Sequence, residues 1–103
     1  MKVIRCLSKK IREELNDADA YIGLAMEWKG EEPDVAELFA ELSAEETQHM
    51  IRLHEKVKDL IEKYKQEHGD PPKVMMELYK EMHDQYTEDA MRIRVKQGMY
   101  KAE

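Results

Sequence analysis

The chain is poor in everything that interrupts a helix or staples a small fold: 103 residues hold three prolines, four glycines and one cysteine. A lone cysteine, Cys6, excludes an intramolecular disulfide and fits a reducing compartment. Scarce proline and glycine, gathered at a few places, predict long regular elements. Long apolar runs are missing as well. No stretch could span a bilayer, and the opening MKVIRCLSKK has no run of secretory-signal length, so a soluble, cytoplasmic protein without a membrane partner is expected. A basic stripe is also absent. The 23 acidic and 17 basic residues are interleaved, giving a net charge of −6, which argues against a nucleic-acid partner and favours cations near the surface.

What remains is 42% hydrophobic and 39% charged, the balance of amphipathic helices with salt-bridged wet faces. The length suits one domain, residues 1–103, with a modest core that self-association would complete. Breakers divide it into three helical segments. Gly30 follows the first, in the position of a C-terminal glycine. Pro33 suits the first turn of the second, with acidic neighbours at the positive end of the helix dipole. That segment runs to Gly69, and Asp70, Pro71 and Pro72 open a third that reaches about Gly98. Whether the residues before Ser8 are helical or extended stays open, since Ser8 could itself be an N-cap.

Apolar spacing supports the division. Ile4, Leu7, Ile11, Leu15, Ala18, Ile22 and Ala25 recur at steps of three and four. The second segment carries Val35, Leu38, Phe39, Leu42, Met50, Leu53, Val57, Leu60, Ile61 and Tyr64 in the same way. The third is less regular: Val74, Leu78, Met82 and Tyr86 form a stripe that blurs around Asp89 before Ile93. The second helix, roughly 35 residues or about 50 Å, should lie antiparallel to the first as a long hairpin with one covering helix.

Polar groups on these stripes carry the chemistry. Glu46 and His49 are three apart, so their side chains share a helix face, and Glu14 sits on or beside the buried face of the first helix. Glu14 lies roughly fifteen residues before the turn at Gly30 and Glu46 roughly fifteen after it, so an antiparallel hairpin brings them level. Burying carboxylates without compensation is costly, and a divalent cation removes the penalty. Carboxylate and imidazole donors suit iron or manganese better than structural zinc. One Glu and one Glu-x-x-His are half of the set used by di-iron carboxylate bundles. Two copies about a two-fold axis would supply the whole, so a homodimer or higher even assembly is expected.

The stretch from Glu14 to Glu55, ELNDADAYIGLAMEWKGEEPDVAELFAELSAEETQHMIRLHE, resembles the first helical hairpin of rubrerythrins and other ferritin-like proteins. It has their Glu, Ala and Tyr at Glu14, Ala18 and Tyr21, a proline-led second helix, and E-E-x-x-H at Glu45, Glu46 and His49. The resemblance covers about two-fifths of the chain. It implies Glu14, Glu46 and His49 as iron ligands, Tyr21 as a buried hydrogen-bond partner beside them, and oxidation of ferrous iron by dioxygen or peroxide. The usual second hairpin and the cysteines of a rubredoxin-type centre are missing, so the form implied is a half-bundle similar to the encapsulated ferritins. Its four-helix bundle and metal site would both be completed by dimerisation.

Glu81, Asp84 and Glu88 on the third segment are spaced like further ligands, but level counting from Gly69 puts Arg92 to Val95, not these, beside Glu46. The eight methionines read as core filling, Trp28 and Phe39 as a pair at the first turn, and Cys6 as inert. His54 falls off the predicted core stripe, and His83 reads as a partly exposed helix residue. Two other functions fit the same residues: a helical oligomerisation or adaptor module with hydrated carboxylates, and a metal carrier that does not speed oxidation.

Overall fold

The computed structural model describes residues 2–102 as three α-helices: α1 Lys2–Trp28, α2 Pro33–His68 and α3 Lys73–Ala102. They lie side by side in a rod of 56 × 17 × 17 Å, whose long axis is the length of α2. Among the described residues no helix is long and apolar enough to cross a membrane.

Local chemistry sets the boundaries. The carbonyl of Trp28 accepts from the amides of Glu31 (3.2 Å) and Glu32 (2.8 Å), closing the end of α1. Pro33 then starts α2 where its missing N–H costs nothing. At the other end Gly69 takes a φ of +80° and donates to the Lys65 carbonyl (2.9 Å), a conformation that glycine adopts without Cβ strain. Gly30 is not in that region, so the first turn closes without a left-handed glycine.

Two expected boundaries shift. Lys2 to Leu7 is helical, with Ser8 inside α1 rather than capping it. The third helix continues past Gly98 to Ala102. A helical glycine costs about 1 kcal/mol, and the anchoring of Tyr100 beyond it offsets that cost. Tyr100 is buried against Ile22, Ala25 and Ala36, its hydroxyl donates to Glu37 (3.2 Å), and Lys29 sits over its ring at 4.5 Å while donating to its carbonyl.

The hairpin core is the predicted α1 stripe almost intact: Ile4, Ile11, Leu15, Ala18, Ile22 and Ala25 are all buried. The α2 stripe is displaced near the turn. Val35 and Leu38 remain 39% and 52% exposed, while Ala36 and Ser43 are fully buried. Small residues at Ala18, Ala25, Ala36 and Ser43 let the helices approach closely, and the Ser43 hydroxyl donates to the Ala18 carbonyl (2.8 Å). The larger side chains are turned towards an open face.

Helix α3 covers the other side. Asp89, where the apolar stripe blurs, is buried and accepts from Arg12 (2.7 Å), Gln85 (3.2 Å) and Arg92 (3.1 Å). Burial raises that carboxyl, but the hydrogen bonds from Arg12 and Gln85 and the charges of Arg12 and Arg92 outweigh it and hold it below its ordinary value. Asp19 pairs with Lys96 (2.8 Å) and Arg92 (3.6 Å). Against α2, Gln97 donates to Ser43 (3.0 Å) and Thr47 (3.1 Å). These contacts leave one long face of the α1–α2 hairpin uncovered.

Candidate metal centre

Glu14, Glu46 and His49 meet on that uncovered face. One ligand atom from each lies within 4.8 Å of the others. His49 Nδ1 is 3.6 Å from Glu14 Oε2 and 3.8 Å from Glu46 Oε1. The helices fix this placement: the Glu-x-x-His spacing puts two donors on one turn of α2, and the short connection at residues 29–32 sets Glu14 level with them. Glu14 and Glu46 are half-buried, with side chains 23% and 18% exposed, while His49 is 52% exposed at the mouth.

One oxygen singles the cluster out. Glu14 Oε2 is buried and has no hydrogen-bond partner among the described residues. A buried, unpartnered carboxylate oxygen costs about 1–3 kcal/mol or more. It faces an imidazole nitrogen and a second carboxylate, which is the donor chemistry that iron or manganese accepts. The residues therefore fit a divalent ion, with one cation relieving the unpartnered oxygen and the crowding of the two acids. An open groove of about 520 Å³ leads away from the cluster past Leu7, Leu53, Arg52 and Lys56.

The other expected residues stay apart. Tyr21 is half-buried rather than buried; its ring stacks on Phe39 at 6.1 Å, and its hydroxyl makes no hydrogen bond among the described residues. The bond to the ligands that the resemblance implies is therefore not made within one chain. Glu81, Asp84 and Glu88 lie on α3, with Asp84 paired to Lys80 at 3.1 Å, and none joins the cluster. Cys6 is exposed, and Trp28 packs in the cluster around Ile22 that also contains Phe39.

His83 is a half-buried helix residue, as expected, but His54 departs from its expected place off the core stripe. His54 is buried, 7% exposed, and its Nε2 lies 3.0 Å from His83 Nδ1. The His54 ring stacks on Tyr86 at 4.4 Å, with Tyr79 at 6.4 Å. Burial first, then the neighbouring His83 and Lys58, depresses the His54 pKa against the opposing pull of Glu55. The available signal was the spacing of His54 from Met50, Val57 and Ile61, which puts it on the buried side of α2. A second, apolar groove of about 550 Å³ lies between the starts of α1 and α3, lined by Ile4, Val74, Met75, Leu78 and Met82.

Comparison of the chain with protein-family models, curated proteins and solved structures returns no match.

Proposed function

We propose that the chain is a ferritin-like di-iron carboxylate protein that oxidises ferrous iron at a site shared between two copies. The observation that carries this reading is the convergence of Glu14, Glu46 and His49 around a buried carboxylate oxygen with no partner. Ferrous iron is the substrate, giving up electrons to dioxygen or peroxide. Glu14 and Glu46 supply the negative charge that holds the cation, and His49 adds a neutral nitrogen donor. The partial burial of Glu14 and Glu46 limits the water around their carboxylates. One chain offers three protein ligands, so a pair of ions needs the same three from a second copy. The resemblance of residues 14–55 to the first hairpin of ferritin-like proteins supports the same assignment.

The test is the rate of ferrous oxidation after anaerobic loading and exposure to air, compared with Glu46→Ala and His49→Ala. The reading predicts that the wild type outpaces buffer and that both variants fall to the buffer rate. Iron retained without acceleration would assign a passive carrier, and no retained iron would leave a helical interaction module.

A further inference from the structure

Helix α3 is held to the hairpin in two unequal halves. From Asp89 onward it is anchored by the buried residues Asp89, Ile93 and Tyr100. Polar ties reach both partner helices there: Arg12 donates to Asp89, Lys96 to Asp19, Gln97 to Ser43 and Thr47, and Tyr100 to Glu37. Residues 73–88 contain no buried residue. Met75, Met76, Tyr79, Met82 and Tyr86 are half-buried against the core, while Val74 and Leu78 are 66% and 51% exposed. Among the described residues, one side-chain hydrogen bond ties this half to the hairpin, between His54 Nε2 and His83 Nδ1 at 3.0 Å. Its other side-chain bonds stay within α3. One of them, from the Thr87 hydroxyl to the His83 carbonyl (2.8 Å), tends to bend a helix and falls at the boundary between the halves.

The two sets of ties respond differently to acid. Despite its burial, Asp89 is held below its ordinary value by the hydrogen bonds from Arg12 and Gln85, so it stays ionised wherever imidazole titrates. The amide of Gln97 does not titrate at all. The histidine pair does. One proton can be shared between the rings, but a second leaves both nitrogens as donors and sets two cations against each other.

We propose that residues 73–88 form an acid-released flap, in which protonation of both His54 and His83 frees this half of α3 from the hairpin while Asp89 to Tyr100 stays docked. Release uncovers the cluster containing Met50, Val57 and Ile61, together with Met75, Met76 and Met82 of the flap, an adaptable apolar surface. The surroundings of His54 set the sign. From α3, His83, Tyr79 and Tyr86 face it, and burial pushes both tyrosines up, so they stay neutral. From its own helix Lys58 opposes protonation and Glu55 favours it, and no charged group of α1 contributes. Burial first, then His83 and Lys58, hold His54 below its ordinary value. The freed imidazole returns to about 6.5, so the released state takes up the second proton as pH falls through that value. Neither histidine belongs to the Glu14, Glu46 and His49 cluster, and the flap stands whether or not metal binds there.

The experiment is amide hydrogen exchange of the intact chain in chelated buffer at pH 7.5 and 5.5, with and without low urea. Each rate is divided by that of an unstructured peptide at the same pH, giving a protection factor. Protection of residues 73–86 is expected to fall about tenfold at pH 5.5, one unit below the free imidazole value, and to depend little on urea. Residues 89–100 should stay better protected and respond steeply to urea, the mark of exchange through global unfolding. In His54→Gln, residues 73–86 should keep one protection factor at both pH values. Wild-type protection that is the same at both pH values, or an equal pH response in His54→Gln, would overturn the proposal. So would a single protection factor and urea slope shared by both halves at pH 5.5, because α3 would then open only with the whole chain.

Discussion

Replacing Glu14 by Gln separates the stability of the hairpin from its affinity for metal. In the metal-free chain Glu14 Oε2 is buried without a partner, and its side chain is 23% exposed. The substituted side chain is uncharged, and its amide can donate towards Glu46 or His49, whose ligand atoms already stand within 4.8 Å. Partial exposure puts the relief near the lower end of the cost of an unsatisfied buried group, about 1 kcal/mol. For a chain of this size that raises Tm by about 4–8 °C. Metal acts in the opposite sense. A ligand at one hundred times its Kd stabilises the wild type by about 2.7 kcal/mol, and the variant, lacking one carboxylate, should gain little. Melting curves at one protein concentration, in chelator and in Mn(II), which air does not readily oxidise, should therefore cross. Glu14→Gln should melt higher without metal, and the wild type higher with it. A variant that melts below wild type in chelator would show the Glu14 charge to be stabilised by the fold, refuting the argument from the unpartnered oxygen.

Ile11 is 1% exposed at the heart of the hairpin, so Ile11→Ala should lower the free energy of unfolding by about 2–5 kcal/mol, read as a lower urea midpoint with unchanged slope. Asp89→Asn removes the buried charge that ties α3 to Arg12. Because Arg12 and Arg92 can turn to solvent, we expect a loss of about 1–2 kcal/mol, and no loss would mean that the Arg12–Asp89 pair does not help to hold α3. His54 resists protonation in the folded chain, facing His83, Tyr79 and Tyr86 across α3, with Lys58 and Glu55 on its own helix. With its folded pKa below the unfolded value of about 6.5, the unfolded state binds more protons as pH falls through that value, so stability drops on acidification and is insensitive to this group above it. Urea midpoints between pH 8 and 5 should fall more steeply for wild type than for His54→Gln, and equal slopes would remove His54 as the cause.

The parts of this molecule that were legible in the sequence are those set by local chemistry. Pro33, Gly69 and the Asp70-Pro71-Pro72 run place the turns within a few residues, and the α1 stripe names its buried residues directly. The proximity of Glu14 to Glu46 and His49 also follows from counting, because a short connection between straight helices leaves little freedom of level. What the pattern missed depended on a second element. Hydrophobicity alone ranks Val35 and Leu38 above Ala36 and Ser43 as core, yet close approach of α1 and α2 favours the small residues. Asp89 and His54 read as polar interruptions because their partners, Arg12 and His83, lie 77 and 29 residues away. Gly98 fails to stop α3 for a similar reason, since the anchors of Tyr100 lie on α1 and α2.

The most direct test of the central claim is metal content in the sized protein. The purified chain is loaded anaerobically with ferrous iron, passed through a sizing column, and assayed for iron per chain alongside Glu14→Gln, Glu46→Ala and His49→Ala. A half-site of these three residues predicts about one iron per chain, eluting with a dimer or larger even assembly, and loss of that iron in every variant. Iron that remains bound when these residues are changed, or a wild type that emerges without iron, would contradict the account.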